Sequence, residues 1–114
     1  MHELGIVFYV IDDVKEVAAE HAVTSVSRVT LELGEVSGVV PEYLRDAWRW
    51  ACAREPLMAG CELACKEVPA VTLCESCGAE YGTVAHGRTC PVCGSAQTHL
   101  LRGNEVLIKE IEAS

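Results

Sequence analysis

The stretch CESCGAEYGTVAHGRTCPVCG, residues 74–94, decides the fold of this part of the chain. It contains two Cys-x2-Cys pairs separated by twelve residues, and the four cysteines are Cys74, Cys77, Cys90 and Cys93. The short spacer lets both sulfurs of a pair point into one tight turn, and the glycine after each pair permits the backbone conformation in which amides approach sulfur. Two such turns together present four thiolates, a tetrahedral soft-ligand set that binds zinc or iron. A closed set leaves no position for substrate, so we predict a structural Zn(II) site.

Iron and disulfide bonds are the alternatives to zinc at these cysteines. Similar turns occur in rubredoxin-like iron electron carriers, but those sites lie in an aromatic shell and this stretch offers only Tyr81. The chain has seven cysteines. In a reducing compartment, cysteines that recur at short fixed spacings are metal ligands more often than disulfide partners. Zinc is therefore the preferred interpretation.

The composition describes one small globular protein and argues against several classes of partner. Of its 114 residues, 50% are hydrophobic and 23% are charged, which is enough apolar surface for a core. The net charge of -8 opposes binding to nucleic acid or to an anionic membrane, which also counts against a zinc-ribbon adaptor that binds nucleic acid. No apolar run reaches the length of a membrane span, and the first residues lack the pattern of a signal peptide. We expect a cytoplasmic protein.

The sequence outside the cysteine stretch has the patterns of two helices and three strands. Apolar residues at steps of three and four predict a helix within residues 1–22, and Pro41 suits the first turn of a second helix. Alternating apolar residues predict strands that end at Gly34, begin at Cys61 and close the chain near 106–111. The fold class is therefore α+β, with a small mixed sheet of about three strands, two helices and an inserted zinc-ribbon-like module. In the first helix we expect one buried face, formed by Leu4, Val7, Phe8, Ile11, Val14 and Ala18.

Composition divides the chain into three segments. Residues 70–99 are rich in Gly, Thr, Ser and Cys, and so short a segment needs a metal or disulfides to stay folded. We expect residues 1–69 to form an α+β base, residues 70–99 a four-cysteine zinc module, and residues 100–114 a C-terminal strand that returns to the base.

The extreme amino terminus is a second candidate metal site. The free amine of Met1, the adjacent amide nitrogens and the imidazole of His2 can offer nitrogen donors in one plane. Planar nitrogen sets suit nickel(II) and copper(II) rather than zinc. A terminal histidine is more often simply solvated, and the residues alone favour that interpretation. No nucleophile elbow, phosphate-binding loop or open metal site is evident, so we expect a binding protein and not an enzyme.

Over its whole length the sequence resembles the hydrogenase maturation nickel chaperones of the HypA/HybF family. The matching parts occur in the family's order and begin at residue 1: Met1-His2-Glu3, Leu33-Gly34-Glu35-Val36-Ser37-Gly38-Val39, Pro41 to Trp48, Gly60-Cys61, the two cysteine pairs and Gly103-Asn104-Glu105. Members of that family deliver nickel to the large subunit of nickel-iron hydrogenase, and sometimes to urease. They work with a nickel-binding GTPase of the same maturation pathway.

The resemblance implies a site and a set of partners for this chain. It implies that His2 is the essential ligand of a transient Ni(II) ion, that backbone nitrogens at His2 and Glu3 complete much of the site, and that the four cysteines hold structural Zn(II). It implies a nickel-binding maturation GTPase and the hydrogenase large subunit as partners. Independently of the resemblance, we expect a monomer or homodimer that binds neither nucleic acid nor a membrane. Relatives often have an acidic residue where this chain has Val40, whereas its nearest carboxylates in sequence are Glu35 and Glu42.

The remaining cysteines, histidines and tryptophans have simpler interpretations. We expect the three cysteines outside the pairs to pack in the core, because free cysteine is commonly buried. Two histidines of the cysteine module could replace a thiolate or respond to pH. Two tryptophans that are two positions apart on a helix cannot both face the core, so one is a candidate for a partner surface. These residues are Cys52, Cys61, Cys65, His86, His99, Trp48 and Trp50.

Overall fold

The computed structural model describes residues 3–113. In chain order the elements are α1 (Glu3–Glu20), β1 (Val26–Gly34), α2 (Pro41–Cys52), β2 (Glu62–Val68), β3 (Val71–Cys74), β4 (Glu80–Gly82), α3 (Thr83–His86), β5 (Thr98–Arg102) and β6 (Val106–Ala113), with a 3-10 turn at Pro56–Met58. None of the helices found within these residues has the length and apolar character needed to cross a membrane.

These elements form two compact units. Among the described residues, the first unit contains residues 3–32, 39–66 and 107–113, and the second contains Leu33–Gly38 and Glu67–Val106. These boundaries differ from the segments expected from composition. Residues 100–106, which we expected in a strand returning to the base, lie in the second unit because β5 pairs with β3.

In the first unit, α1 packs against α2. Pro41 stands at the first position of α2, as its fixed φ angle favours. The indole of Trp48 is buried in α2, and its Nε1–H donates a hydrogen bond of 3.1 Å to the carbonyl oxygen of Cys61. Trp50 is 47% exposed, which confirms that the two tryptophans face different environments.

The buried face of α1 differs in part from the expected one. Val7, Val10 and Ile11 are buried, whereas Leu4 and Phe8 are 41% and 45% exposed. The first turns of this helix carry apolar residues on all sides, so periodicity alone does not fix which stripe is covered. The Phe8 ring instead meets the edge of the exposed Trp50 ring, with the ring centres 6.2 Å apart.

The first sheet has the strand order β2-β1-β6 and is mixed, as predicted. Arg28 near the start of β1 pairs with Glu62 at the start of β2, and the N–H of Glu35 after β1 donates to the last residue of β2, so these two strands are parallel. At the other edge, the Ser27 hydroxyl donates to the carbonyl of Glu112 and the Gly34 N–H donates to that of Glu105. β6 is therefore antiparallel to β1. The chain contains the two helices expected from the sequence together with this mixed sheet, which confirms the predicted α+β class.

The second unit contains a sheet that the sequence did not predict, with the order β4-β3-β5 and antiparallel pairing throughout. Thr72 lies opposite Tyr81 of β4 and Leu100 of β5. The strands have three to five residues, too few for an alternating pattern to be recognisable. This sheet carries the first cysteine of the cluster at the end of β3.

The segment Leu33–Gly38 is held in the second unit by backbone hydrogen bonds. The N–H groups of Gly34, Glu35 and Val36 donate to the carbonyls of Glu105, Val68 and Gly103, respectively, and the N···O distance is 2.8 Å in each case. A Cβ atom on Gly34 would lie closer than 3.0 Å to the Gly103 carbonyl group. The glycine in this motif is therefore required by a close approach of two backbones.

Candidate metal centre

Each Cys-x2-Cys pair forms the same tight turn. In the first, the Gly78 N–H donates to the carbonyl of Cys74 over 2.9 Å, and the Cys74 N–H donates to that of Ala79. In the second, the Gly94 N–H donates to the carbonyl of Cys90 over 2.9 Å. Both glycines have a positive φ, 77° and 75°, so a residue with a side chain would be strained at either position.

The two turns bring the four sulfurs of Cys74, Cys77, Cys90 and Cys93 together. All four lie within 4.8 Å of one another, and the pairs Cys74–Cys93 and Cys77–Cys90 are separated by 3.6 and 3.7 Å. A tetrahedron with metal–sulfur bonds of about 2.3 Å has edges of about 3.8 Å. The sulfurs are therefore spaced as ligands of one zinc-sized ion, and the site fits zinc.

Two serines, which the sequence analysis did not single out, link the turns. The hydroxyl oxygens of Ser76 and Ser95 lie 2.9 Å apart, and the Cys90 N–H donates to the Ser95 carbonyl. Ser76 stands inside the first pair and Ser95 directly follows the glycine of the second pair. The polar residue at each of these turn positions is the sequence feature that could have indicated a hydrogen bond between the two turns.

The cluster is half enclosed. Cys74 and Cys90 are buried beside Tyr81, whereas Cys77 and Cys93 are exposed. Tyr81 donates its hydroxyl proton to the carbonyl of Gly87 over 3.0 Å, which holds its ring in place. It is the one aromatic residue among the described members of this buried cluster, so the aromatic shell of a rubredoxin-like site is not reproduced here.

Backbone amides favour the thiolate form of the inner cysteines. The Cys77 N–H is the largest cause that lowers the pKa of Cys74 to about 6, against the opposing effect of burial. The Cys93 N–H lowers the pKa of Cys90 in the same way. Because a metal binds thiolates and not thiols, these amides prepare the two inner cysteines for coordination.

In the absence of a metal, the pKa values of the two outer cysteines, Cys77 and Cys93, are raised and not lowered. Cys77 receives a hydrogen bond from the Ala79 N–H, but desolvation and the neighbouring sulfurs outweigh it and raise its pKa to about 12. The pKa of Cys93 is also raised, although the Ser95 N–H favours its thiolate. Negative charge on four adjacent sulfurs is unfavourable unless a cation neutralises it.

The residues expected to bind nickel lie at the limit of the described chain. Met1 and His2 are outside the described residues, so their predicted role stays a prediction. Glu3 is the first residue of α1 and is half-buried. Val40 immediately precedes α2 and is 39% exposed. Glu35 accepts a hydrogen bond of 2.9 Å from the Ala70 N–H, so this carboxylate has a structural partner in the second unit.

The three cysteines outside the cluster belong to the first unit. Cys52 and Cys61 are buried, and Cys65 is half-buried. Desolvation raises the pKa of Cys52 to about 12 and that of Cys61 to about 11, so both are neutral thiols near pH 7.

The two histidines near the four-cysteine cluster have other contacts. His86 is exposed beside the Tyr81 ring, and the Nδ1 atom of His99 lies 2.9 Å from a carboxylate oxygen of Glu75.

Comparison with known proteins places the chain in a family. The family described as hydrogenase/urease nickel incorporation metallochaperones, HypA, matches residues 1–113. The chain belongs to the HypA family. A hydrogenase maturation factor HypA from Chlorobium phaeobacteroides is 44% identical over 112 residues, which cover 97% of each chain. A hydrogenase maturation factor HybF from Klebsiella pneumoniae is 31% identical over 98% of each chain.

The fold of this HypA family member agrees with a solved structure. The solution structure of the nickel metallochaperone HypA from Helicobacter pylori superposes with a TM-score of 0.77 over 99% of this chain and 97% of that one. The two sequences are 20% identical, so this likeness concerns the fold. The resemblance found in the sequence motifs is thereby confirmed as family membership by the full-length matches.

Proposed function

We propose that this HypA family member is a nickel metallochaperone that binds Ni(II) at its N-terminus and delivers it during the maturation of nickel-iron hydrogenase. The family match over residues 1–113 carries this proposal, because it includes the terminal residues and the cysteine cluster together. Its relatives are hydrogenase maturation factors, and the family description includes urease, so urease is a second possible recipient.

The proposed nickel ligands are the Met1 amine, the His2 imidazole and backbone nitrogens at His2 and Glu3. Glu3 is the first residue of α1, so its backbone nitrogen lies at the start of this helix. Four nitrogens in one plane suit nickel(II), and amide nitrogens bind only after losing a proton, so affinity should increase with pH. Nickel is the cargo of this site, so the site must release it to a recipient.

We further propose that the four cysteines hold structural zinc. The sulfur spacing and the amides around Cys74 and Cys90 support this assignment. Zinc in such a site contributes on the order of 10 kcal/mol of folding free energy. In this division of roles, nickel binds at the N-terminus and zinc maintains the second unit around the four cysteines, which the recipient contacts.

The proposed partners are a nickel-binding maturation GTPase and the hydrogenase large subunit, in the cytoplasm. The protein would act by binding and transfer, as a monomer or homodimer, and not as an enzyme. The closed set of four cysteine ligands supports a role without catalysis at the zinc centre.

Nickel titration of the zinc-loaded protein tests the proposal. We expect near-stoichiometric binding by calorimetry and absorbance, which His2→Ala abolishes while zinc is retained. His21→Ala removes an exposed histidine elsewhere in the chain and is the matched control. A short extension before Met1 should also abolish tight binding, because it removes the terminal amine from the site and leaves His2 in place. Equal nickel binding by the His2→Ala variant would contradict the proposal.

A further inference from the structure

A cleft in the second unit is lined by residues that belong to neither proposed metal site. Its volume is about 420 Å³, within the range of pockets that hold small ligands or a few residues of a peptide. Thr72, Thr83, Arg88 and Thr98 supply polar groups to its wall, and Val36 and Leu100 supply apolar ones.

One wall of the cleft has its carbonyl oxygens already occupied. The Tyr81 hydroxyl donates to the carbonyl of Gly87 over 3.0 Å, and the Thr98 hydroxyl donates to that of Arg88 over 2.7 Å. The Gly87 N–H donates to the carbonyl of Thr83 over 2.6 Å, which fixes the same turn. The carbonyl oxygens of Thr83, Gly87 and Arg88 are therefore engaged within the protein.

A pair of threonine hydroxyls adds a hydrogen-bond donor. The Oγ1 atoms of Thr72 and Thr83 lie 2.6 Å apart, and Thr72 is 4% exposed. One hydroxyl donates to the other, so the proton of the second hydroxyl needs a different acceptor. Neither side chain has another hydrogen-bond partner in the part of the chain that the structure describes.

Arg88 adds a positive charge. In the same unit, Arg102 pairs with Glu80 and His99 lies against Glu75. The Arg88 guanidinium has no carboxylate partner within residues 3–113, although the chain carries 17 acidic side chains against nine basic ones. An arginine without a partner beside hydroxyl donors is complementary to an anion that accepts several hydrogen bonds.

We propose that this cleft binds an aspartate or glutamate side chain of an acidic peptide segment in a partner protein. The carboxylate would accept hydrogen bonds from Arg88 and from the threonine pair, while Val36 and Leu100 contact the carbon atoms of the segment. The apolar wall favours a peptide over a small free anion, because a free anion would leave these side chains uncovered. The site involves neither His2 nor nickel, so it stands or fails independently of the proposed nickel chemistry.

Titration of the ¹⁵N-labelled, zinc-loaded protein with a short acidic peptide tests the site. The probe is acetyl-Val-Asp-Glu-Val-amide, and acetyl-Val-Asn-Gln-Val-amide is its uncharged counterpart. We expect the acidic peptide to shift the amide signals of Thr83, Gly87 and Arg88. Arg88→Gln should weaken binding by about tenfold, the value of a charge-assisted hydrogen bond. Arg102→Gln, which removes an exposed arginine of the same unit, should leave the affinity unchanged.

Three results would overturn the proposal. Equal binding of the two peptides would show that charge is not recognised, and unchanged affinity in Arg88→Gln would remove the central residue. Glutarate that binds as tightly as the acidic peptide would assign the cleft to a free anion. If Arg88→Gln loses zinc, Thr83→Val gives the decisive measurement, because it deletes the threonine donor and keeps the guanidinium.

Discussion

Gly34 and Gly103 lie backbone against backbone, and neither position has room for a methyl group. A Cβ atom on Gly34 would meet the carbonyl of Gly103, and one on Gly103 would meet Ala70, in both cases at less than 3.0 Å. Gly103 also has a φ of 107°, a conformation that residues with side chains rarely adopt. The glycines of two separate family motifs therefore lie against each other within the second unit, and Gly103 also lies against Ala70.

We predict that Gly34→Ala destabilises the protein by about 1 to 3 kcal/mol, the usual cost of adding a methyl group to a packed site. Thermal unfolding followed by circular dichroism, with zinc present, measures the change. Gly82→Ala is the matched control, since a Cβ there would meet nothing within 4 Å among the described residues. Equal melting temperatures for Gly34→Ala and the parent protein would argue against the close approach.

Zinc removal should unfold the cysteine module, residues 70–99, and leave the base, which contains α1 and α2, largely folded. The module has a small buried cluster around Cys74, Tyr81 and Cys90, whereas α1 and α2 bury several large side chains. A chelator titration followed by ¹⁵N NMR should abolish the dispersed signals of residues 70–99 and preserve those of α1 and α2. Complete loss of the base signals would refute independent stability of the base.

The bound metal should be zinc, held by four sulfurs and not by the other cysteines. Elemental analysis of the purified protein should give one zinc per chain, and the solution should be colourless, whereas a rubredoxin-like iron site would be coloured. Cys93→Ser should lose zinc affinity because it replaces one ligand of the cluster. Cys52→Ser is the control and should retain the metal, since Cys52 is not part of the four-cysteine group.

Cys52 and Cys61 should resist thiol reagents at pH 8 in the folded protein. Their pKa values of about 12 and 11 lie above the ordinary value of 9.0, because burial disfavours the thiolate. A raised thiol pKa stabilises the fold below pH 9, and this contribution is lost as the pH rises from 9 towards 12. Cys52→Ala should therefore show a weaker loss of stability over that range than the parent, measured by urea unfolding at successive pH values. An identical pH dependence would contradict the raised pKa.

Much of the two longer helices and the first sheet could be predicted from the sequence because these elements are long and amphipathic. Pro41 begins α2, and β1 ends at Gly34, both as predicted. The exposure of Leu4 and Phe8 could not be predicted, because the start of α1 is apolar on all sides and tertiary packing decides which stripe is covered.

The four-cysteine grouping was predicted from spacing, since that spacing determines the turn geometry. The second sheet was not, because β3 and β4 are too short to show a period. The hydrogen bonds between Ser76 and Ser95, and between Thr72 and Thr83, join residues 19 and 11 positions apart. Local sequence patterns do not indicate hydrogen bonds between residues so far apart in the chain.

The division of the chain into two units also limits how it can be taken apart. The polypeptide passes from one unit to the other at residues 32/33, 38/39, 66/67 and 106/107, so neither unit is a continuous segment. A deletion of residues 70–99 would remove the Ala70 N–H that donates to the Glu35 carboxylate, and would remove β3, with which the segment before Gly103 pairs. Many contacts join residues far apart in sequence, which raises the contact order and slows folding relative to a helical protein of equal length. Because the two units are built from alternating segments of one chain, neither can be exchanged as a single continuous piece.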